Sequence, residues 1–369
     1  MTQSIVIFLP SLAGGGAERL HINQAPELAK LGYNITFLVN LKIGSLCDQL
    51  PSGIKTECLN AANTLQTIIP LYRFLRQYKP DILLCNLHIC NMAGLVMKLI
   101  PWIKTKIITS FHCTLTPISR RNKSLSTRLR SLVYRYFLWL SDAVVAVSEG
   151  VKDDVLTTTL LPKEKIHVIY NPVITDAFIH AAEQAQAALP DRDRESYEPL
   201  ILGVGRFTVQ KDFKTLISAF AKVRTTQKCR LRLLGEGPFR DRLIEQIQSL
   251  GLTDQVELPG FLKNPVSSFC EADVFVLSSL YEGLGNVLIE AMACGTPVIS
   301  TDCPSGPAEI LENGKYGHLV PVGDVEALAQ AIRKTLAAPL PKEKLRERGL
   351  YFTAARAAQQ YHKVCLSVL

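Results

Sequence analysis

Long uncharged apolar runs are missing from this 369-residue chain. The longest candidate, Ile82 to Met97, is interrupted by Asn86, His88 and Asn91, and falls short of the ~20 apolar residues that a bilayer-crossing helix needs. The amino end, MTQSIVIFLP, lacks both the basic start and the long apolar centre of a secretory leader. The expectation is a cytoplasmic protein that does not span a membrane. Among ten cysteines there is no CxxC pair, and most sit inside apolar runs, as Cys85 does in DILLCNL and Cys294 in EAMACGT. Isolated thiols of this kind argue against a disulfide framework and for a reducing compartment. GxxxxGK[ST] is absent, which makes a P-loop NTPase a poor fit, and no repeat of solenoid period is visible. With 47% hydrophobic and 20% charged residues the chain is neither disordered nor fibrous.

Acidic residues are missing from one long stretch. Between Asp81 and Asp142 there is none, against nine basic ones: Lys98, Lys104, Lys106, Arg120, Arg121, Lys123, Arg128, Arg130 and Arg135. Residues 1–180 carry 19 Lys and Arg against 11 Asp and Glu, so they hold the whole net charge of +8. An asymmetry of that kind asks for a partner.

What is present is an alternation of short β-branched runs with helical patterns. SIVIFL, NITFLVN, DILLCNL, KIIT, AVVAVS and IHVIYN read as strands in the first half. PLILGVG, CRLRLLG, QVELPG, VFVLSS and TPVIST do so in the second. Strands alternating with helices of ten or more residues predict parallel sheets with right-handed crossovers, and the length predicts two α/β domains. The boundaries read as 1–178 for the first domain, 179–198 for a charged, Ala-rich linker and 199–348 for the second domain. Residues 349–369 read as a final amphipathic helix that returns to the first.

Three groups of residues carry possible chemistry. Gly14, Gly15 and Gly16 follow the first strand and open a helix, where backbone N–H groups can approach an anion. A tight βα turn explains them equally, and the spacing is not GxGxxG. Arg206 and Lys211, in GVGRFTVQKDF, stand just beyond a strand's carboxyl end, the ligand edge of an open α/β sheet. Two cations there suit a diphosphate, unless they are solvated loop charges. In YEGLGNVLIEAMACG a glycine-rich turn precedes a helix whose first amides lie around Gly285, Asn286 and Val287, with Glu282 before the helix and Glu290 on it. Eight residues, about 12 Å if helical throughout, are too many for a glycosidase acid and base.

GVGRFTVQKDF, LLGEGP, VELPGF and EGLGNVLIEAMACGTPVIST, in this order, resemble the C-terminal domain of glycosyltransferase family 4. GGGAERL, SFHCT and VIYNPV match its N-terminal pattern, so the likeness covers essentially the whole chain. The resemblance implies a retaining enzyme of the GT-B fold, an α/β architecture of two doubly wound Rossmann-like domains facing a central cleft. It places Glu282 near the donor sugar and phosphate, and Glu290 on the ribose hydroxyls. Arg206 and Lys211 become the diphosphate clamp, with Gly15 or Gly16 approaching the phosphates from the other domain. His112 falls beside the transferred sugar, and backbone near Phe261 and Leu262 faces the nucleobase. Gly283, Leu284, Gly285, Asn286 and Val287 complete the donor site. The implied catalytic set is His112, Glu282, Arg206 and Lys211. Taken alone, a histidine after a buried strand is more often structural.

No carboxylate in these motifs stands out as a nucleophile. Same-face attack is therefore expected, the leaving phosphate taking the acceptor's proton. Protein cations would neutralise the diphosphate, so no metal and no other cofactor is expected. The one DxD-like triplet, Asp191-Arg192-Asp193, falls in the linker. Asn286 and the following CPSGPAEIL resemble members that use UDP-N-acetylhexosamine, such as GalNAc, or UDP-hexose on lipid-linked bacterial surface or glycoprotein glycans. The segment ISRRNKSLSTRLRSLVYRYFLWL joins Arg120, Arg121, Lys123 and Arg128 to aromatic residues, the composition of a helix lying on an anionic membrane. Peripheral contact with the inner face of the cell membrane is the expectation. A core helix with a solvated basic face has the same composition. No nucleic-acid motif accompanies the charge. The rival readings are a UDP-glucose or UDP-galactose transferase of lipopolysaccharide or capsule synthesis, and a catalytically silent sugar-nucleotide-binding protein.

Overall fold

A computed structural model describes residues 3–13, 15–116, 125–190 and 197–369, leaving aside the side chains of residues 125–130. The chain forms two compact units, Met1–Val173 with Thr353–Leu369, and Ile174–Phe352.

The first unit holds seven strands: β1 (Ser4–Leu9), β2 (Asn34–Val39), β3 (Lys55–Cys58), β4 (Ile82–Asn86), β5 (Lys106–Phe111), β6 (Ala143–Ala146) and β7 (Ile166–Val168). Between them run α1 (Gly16–Lys30), α2 (Thr64–Tyr78), α3 (Leu87–Met97), α4 (Leu125–Phe137) and α5 (Glu149–Thr158). The second unit opens with α6 (Asp176–Ala187) and holds β8 (Leu200–Val204), β9 (Arg230–Leu234), β10 (Val256–Gly260), β11 (Val274–Leu277), β12 (Val298–Thr301) and β13 (His318–Val320). Its other helices are α7 (Phe213–Arg224), α8 (Arg240–Ser249), α9 (Val266–Glu271), α10 (Asn286–Ala293), α11 (Pro307–Ile310), α12 (Val325–Ala337) and α13 (Lys342–Gly349). The last helix, α14 (Ala354–Val368), belongs to the first unit.

The sheets run β3-β2-β1-β4-β5-β6-β7 and β10-β9-β8-β11-β12-β13. Every described pairing is parallel. Both orders reverse once, between β1 and β4 and between β8 and β11, which is the doubly wound pattern. The central strands are apolar on both faces because helices cover both. Ile5, Ile7 and Leu9 enter one core of the first unit, while Val6 and Phe8 enter the other. The strands that sequence reading missed are both at sheet edges. β3, KTEC, is polar, and β13 is three residues long. Neither has a second buried face to reveal it.

One device recurs at the amino ends of the strands. Asp81, Asp142 and Asp273 each stand immediately before an inner strand. The Oδ2 of each accepts the backbone N–H of Ser4, Ile107 and Leu200 respectively, in the neighbouring strand, at 2.7 Å. Each carboxylate satisfies an N–H that has no ladder partner and fixes register between two strands. Asp142 also binds Lys98 Nζ at 2.8 Å and Lys106 Nζ at 3.8 Å. Two of the nine cations in the acid-free stretch are thus neutralised by the residue that ends it.

The division of the chain differs from the boundaries read in the sequence. Residues 176–187, partly assigned to a linker, form α6, whose Ala182 is buried against α9. There the Cys270 thiol donates to the Ala182 carbonyl. The Ala-rich composition served helix packing, not linker flexibility. At the other end the crossing falls between Phe352 and Thr353, where Thr353 caps α14 by accepting the Arg356 N–H. Ala357, Ala358, Tyr361, Val364 and Cys365 of α14 join the core of the first unit. Among the described residues no helix is long and apolar enough to cross a membrane.

Replacing Asp142 with Ala should strip the Ile107 N–H and two lysines of their partner. The expected cost is about 2–3 kcal/mol in urea-unfolding free energy. Glu326→Ala, at an exposed pair with Lys222, should change stability by less than about 0.5 kcal/mol. Equal effects at both positions would contradict the register role.

Candidate active site

Each sheet presents its reversal point through the loops that leave the carboxyl ends of two neighbouring strands. In the second unit these are the loops after β8 and β11. They are stitched together: Leu280 N–H donates to Gln210 O at 2.8 Å, Gln210 Nε2 to Tyr281 O at 3.0 Å, and Ser278 Oγ to Lys211 O at 2.7 Å. A Cβ on Gly205 would lie 3.0–3.2 Å from three carbons of the Lys211 side chain, so the missing side chain leaves room for the lysine stem. Gly235, at φ +142°, lets β9 close on β8, since a Cβ there would fall 1.9 Å from the Gly205 carbonyl oxygen.

The three catalytic residues expected in this unit divide into two kinds. Lys211 Nζ and Glu282 Oε1 form an ion pair at 2.5 Å, with side chains 17% and 8% exposed. Ser279 Oγ donates to the same oxygen at 2.6 Å, and Gln210 Nε2 lies 3.5 Å from Oε2. Removing either partner would leave a buried charge, which typically costs about 3–5 kcal/mol. Arg206, by contrast, is exposed, and its guanidinium has no hydrogen bond or ion pair among the described residues. The two cations expected to act alike are therefore unlike, one neutralised by Glu282 and one open. Ser279, which sequence reading missed, sits three residues before Glu282, and its role is visible only once the turn is folded.

Between Glu282 and Glu290 the backbone turns sharply. Gly285 caps α10 in the left-handed region at φ +100°, so the helical spacing estimated from sequence does not apply. Gly306, at φ +92°, brings CPSGP against this turn; a Cβ there would meet the Leu284 carbonyl oxygen at 2.0 Å. The N–H groups at the start of α10, at Asn286 and Val287, follow at the sheet's ligand edge, and Gly283 and Leu284 are buried in the turn beneath them. Glu290 lies half-buried on α10. Phe261 and Leu262 follow β10 at the same edge, Phe261 68% exposed.

The reversal point of the first unit is lined by buried polar groups. Gly14 lies outside the described residues. Gly15 is the N-cap of α1 and Gly16 its first residue, and the Glu18 carboxylate fills the space a Gly15 side chain would need. An anion approaching Gly15 meets that carboxylate. Further along α1, His21 Nδ1 lies 2.9 Å from Gln24 Oε1, and His21 Nε2 lies 3.3 Å from His112 Nε2. The two imidazoles meet edge to face, with centroids 5.3 Å apart and planes at 89°. Asn40 and Asn86, at the ends of β2 and β4, are also buried here, as is Asn91 on α3, whose Nδ2 donates to Ser110 O at 2.9 Å. Both side-chain polar atoms of Asn40 lack a partner among the described residues. His21 and Gln24 occupy apolar-face positions of α1 between Leu20, Ala25 and Leu28, a pattern that sequence reading passed over.

Burial pushes both histidines down. His21 falls to about 4, opposed by its contacts with Gln24 and Asn86. His112 falls to about 3 through burial and then the neighbouring imidazole, opposed by Asn171. Both are neutral at physiological pH. His112 can hydrogen-bond but brings no positive charge to a phosphate.

The basic segment is only partly visible. Arg120, Arg121 and Lys123 lie outside the described residues, as does the side chain of Arg128. Tyr134, one of the aromatic residues of the segment read as membrane-facing, is buried: it packs on Phe111 at 5.3 Å and meets His88 Nδ1 at 3.2 Å. Tyr136, Phe137 and Trp139 are exposed. So are Leu99 and Trp102 beyond α3, Trp102 by 76%.

A family model described as Glycosyltransferase Family 4 matches residues 14–177, and one described as Glycosyl transferases group 1 matches residues 186–350. The lipopolysaccharide core biosynthesis glycosyltransferase LpsE of Rhizobium meliloti is 30% identical over 338 residues, 91% of this chain and 89% of that one. The N-acetylgalactosamine-N,N'-diacetylbacillosaminyl-diphospho-undecaprenol 4-alpha-N-acetylgalactosaminyltransferase of Campylobacter jejuni is 27% identical over 348 residues, 90% of each chain. Among solved structures, Anabaena Alr3699/HepE in complex with UDP superposes with a TM-score of 0.76 at 20% identity over 100% of both chains. The fold is GT-B.

The neutral pair sets an acid limit on stability. Unfolded histidines take up protons near pH 6.5, the folded ones not until about 4 and 3. Between pH 6.5 and 4 the unfolded chain binds more protons, so stability is complete above 6.5 and falls as the pH drops, by up to about 1.4 kcal/mol per pH unit for each histidine. Urea titrations from pH 7 to 4.5 should show this slope. The His21→Phe, His112→Phe double variant should have a markedly shallower one; a slope like that of the wild type would contradict a neutral pair.

Proposed function

The chain belongs to glycosyltransferase family 4, and on that premise we propose that it moves an N-acetylhexosamine, GalNAc first, from UDP to a polyprenyl-diphosphate-linked glycan with retention of configuration. That it is a glycosyltransferase rests on family membership. The transferred sugar and the acceptor follow the Campylobacter jejuni relative, whose name specifies both, and UDP is the nucleotide bound to the Anabaena neighbour. The observation that carries the reading is Arg206: an exposed guanidinium without a described partner, at the carboxyl edge of β8, in the same loop set as the amino end of α10.

Breaking the sugar–phosphate bond leaves negative charge on the diphosphate. Arg206 and the first N–H groups of α10 are fixed donors for that charge and need no reorganisation when it develops. Lys211 contributes as part of a neutral pair, with Glu282 holding its ammonium in place. An approaching phosphate competes with Glu282 for the ammonium and can share it. Glu282, bound by Lys211 and Ser279, is a poor nucleophile. Same-face attack, with the departing phosphate oxygen accepting the acceptor's proton, is the route that uses the groups present. Glu290 would take the ribose hydroxyls and the Phe261–Leu262 backbone the uracil. No metal is required on this reading, because the positive charge is the protein's own. The Rhizobium relative favours a second acceptor class, the lipopolysaccharide core.

Calorimetry with UDP tests the donor site. Arg206→Ala should weaken binding by about 1.5–3 kcal/mol, roughly ten- to a hundredfold in Kd. Glu290→Ala should weaken it on the same scale. Unchanged affinity in both variants would remove the proposed site.

The exposed Leu99, Trp102, Tyr136, Phe137 and Trp139 suit the headgroup region of a bilayer, and the charge of the basic segment suits anionic lipid. On this reading the enzyme works at the inner face of the cell membrane. Trp102→Ala with Trp139→Ala should release the protein from vesicles of phosphatidylglycerol and phosphatidylcholine while leaving UDP affinity as it was. Cosedimentation equal to wild type would mean that this face is merely solvated.

A further inference from the structure

The His21–His112 contact is not explained by donor binding or by packing alone. A buried and a half-buried imidazole at 3.3 Å are a costly arrangement unless a hydrogen bond joins them. With the oxygen of the Gln24 carboxamide, and not its nitrogen, turned to His21, the protons follow from the partners. Gln24 Oε1, at 2.9 Å, can only accept, so His21 Nδ1 carries the hydrogen. A neutral imidazole has one N–H, which leaves His21 Nε2 as a lone pair. The contact with His112 then requires the hydrogen on His112 Nε2, donated to His21.

We infer that His21, oriented by Gln24, is a positioning residue that locks His112 as the Nε2–H tautomer and leaves Nδ1, a buried nitrogen without a partner among the described residues, as an unused hydrogen-bond acceptor. His112 stands directly after β5 at the ligand edge of the first sheet. With Nε2–H committed to His21, its remaining nitrogen can only accept. A buried, unpartnered acceptor takes a hydrogen bond from a hydroxyl that reaches it and repels a phosphate oxygen, so His112 is set to select a sugar hydroxyl over the diphosphate. The selectivity rests on the proposed function, which puts His112 beside the transferred sugar; the tautomer itself does not. His21 does not touch the substrate and acts only through His112.

Long-range 1H–15N correlation of the histidine side chains at pH 7 reads both tautomers in the full, ligand-free chain. The expected spectrum shows His21 with a protonated Nδ1 and His112 with a protonated Nε2. In His21→Phe, which keeps the ring but removes the acceptor, His112 should lose its single tautomer and average between the two. Turnover of the UDP-sugar should then fall about tenfold or more, the scale on which partners that orient a histidine act, while UDP affinity stays within about twofold. Gln24→Leu should give the same signature and covers the case in which His21→Phe does not fold. A protonated Nδ1 on His112 in the wild type, or an unchanged His112 tautomer in both variants, overturns the inference. If the tautomers are as expected but His112→Ala turns over like wild type, the lock stands and the placement of His112 beside the sugar is what fails.

Discussion

A parallel strand that is covered by helices on both faces has nowhere to place chemistry except its ends. Both sheets of this chain are built that way, with Ile82–Asn86 and Val274–Leu277 buried along their whole length. The amino ends are then used for register, and the carboxyl ends carry the loops of the candidate site. Asp81, Asp142 and Asp273 hold the amino ends. The loops carrying Arg206, Lys211 and Glu282 leave the carboxyl ends of β8 and β11. His112 and the Asn86 side chain stand at those of β5 and β4. One strand reversal in each sheet opens the space between neighbouring loops where a ligand fits.

The same constraint decides how much was legible in the sequence. Inner strands are apolar runs, and reading them one after another placed most of both sheets. β3 and β13 escaped because an edge strand need not be apolar on both faces. The motif residues were legible as a set, since a glycine turn, two cations and two glutamates in one order are specific to a family. Their pairing was not legible. Nothing in GRFTVQKDF or YEGLGN says that Lys211 turns away from Arg206 to meet Glu282. That contact depends on the hydrogen bonds of Gln210 and Leu280 and on the room above Gly205. Ser279 and His21 were invisible for the same reason, and a polar residue on an apolar helix face was the one signal available.

Charge is distributed economically in this molecule. The acid-free stretch gives up Lys98 and Lys106 to Asp142. In the second unit Lys211 is paired with Glu282, so on the proposed function the positive charge offered to a diphosphate narrows to Arg206 and backbone dipoles. In the first unit His21 and His112 carry none, and Glu18 sits beside Gly15. On this account the second unit binds the leaving group and the first supplies uncharged hydrogen bonding. That division suits a reaction in which negative charge appears on the diphosphate alone.

The most direct measurement is UDP release by the purified full chain across a panel of UDP-sugars, with and without a polyprenyl-diphosphate-linked glycan, in buffer and in EDTA. The account predicts release that depends on the acceptor, is greatest with a UDP-N-acetylhexosamine and survives the chelator. Turnover that EDTA abolishes and a divalent ion restores would contradict the role given to Arg206 and the α10 amides. Absence of UDP release from every donor, with and without acceptor, would contradict the central claim.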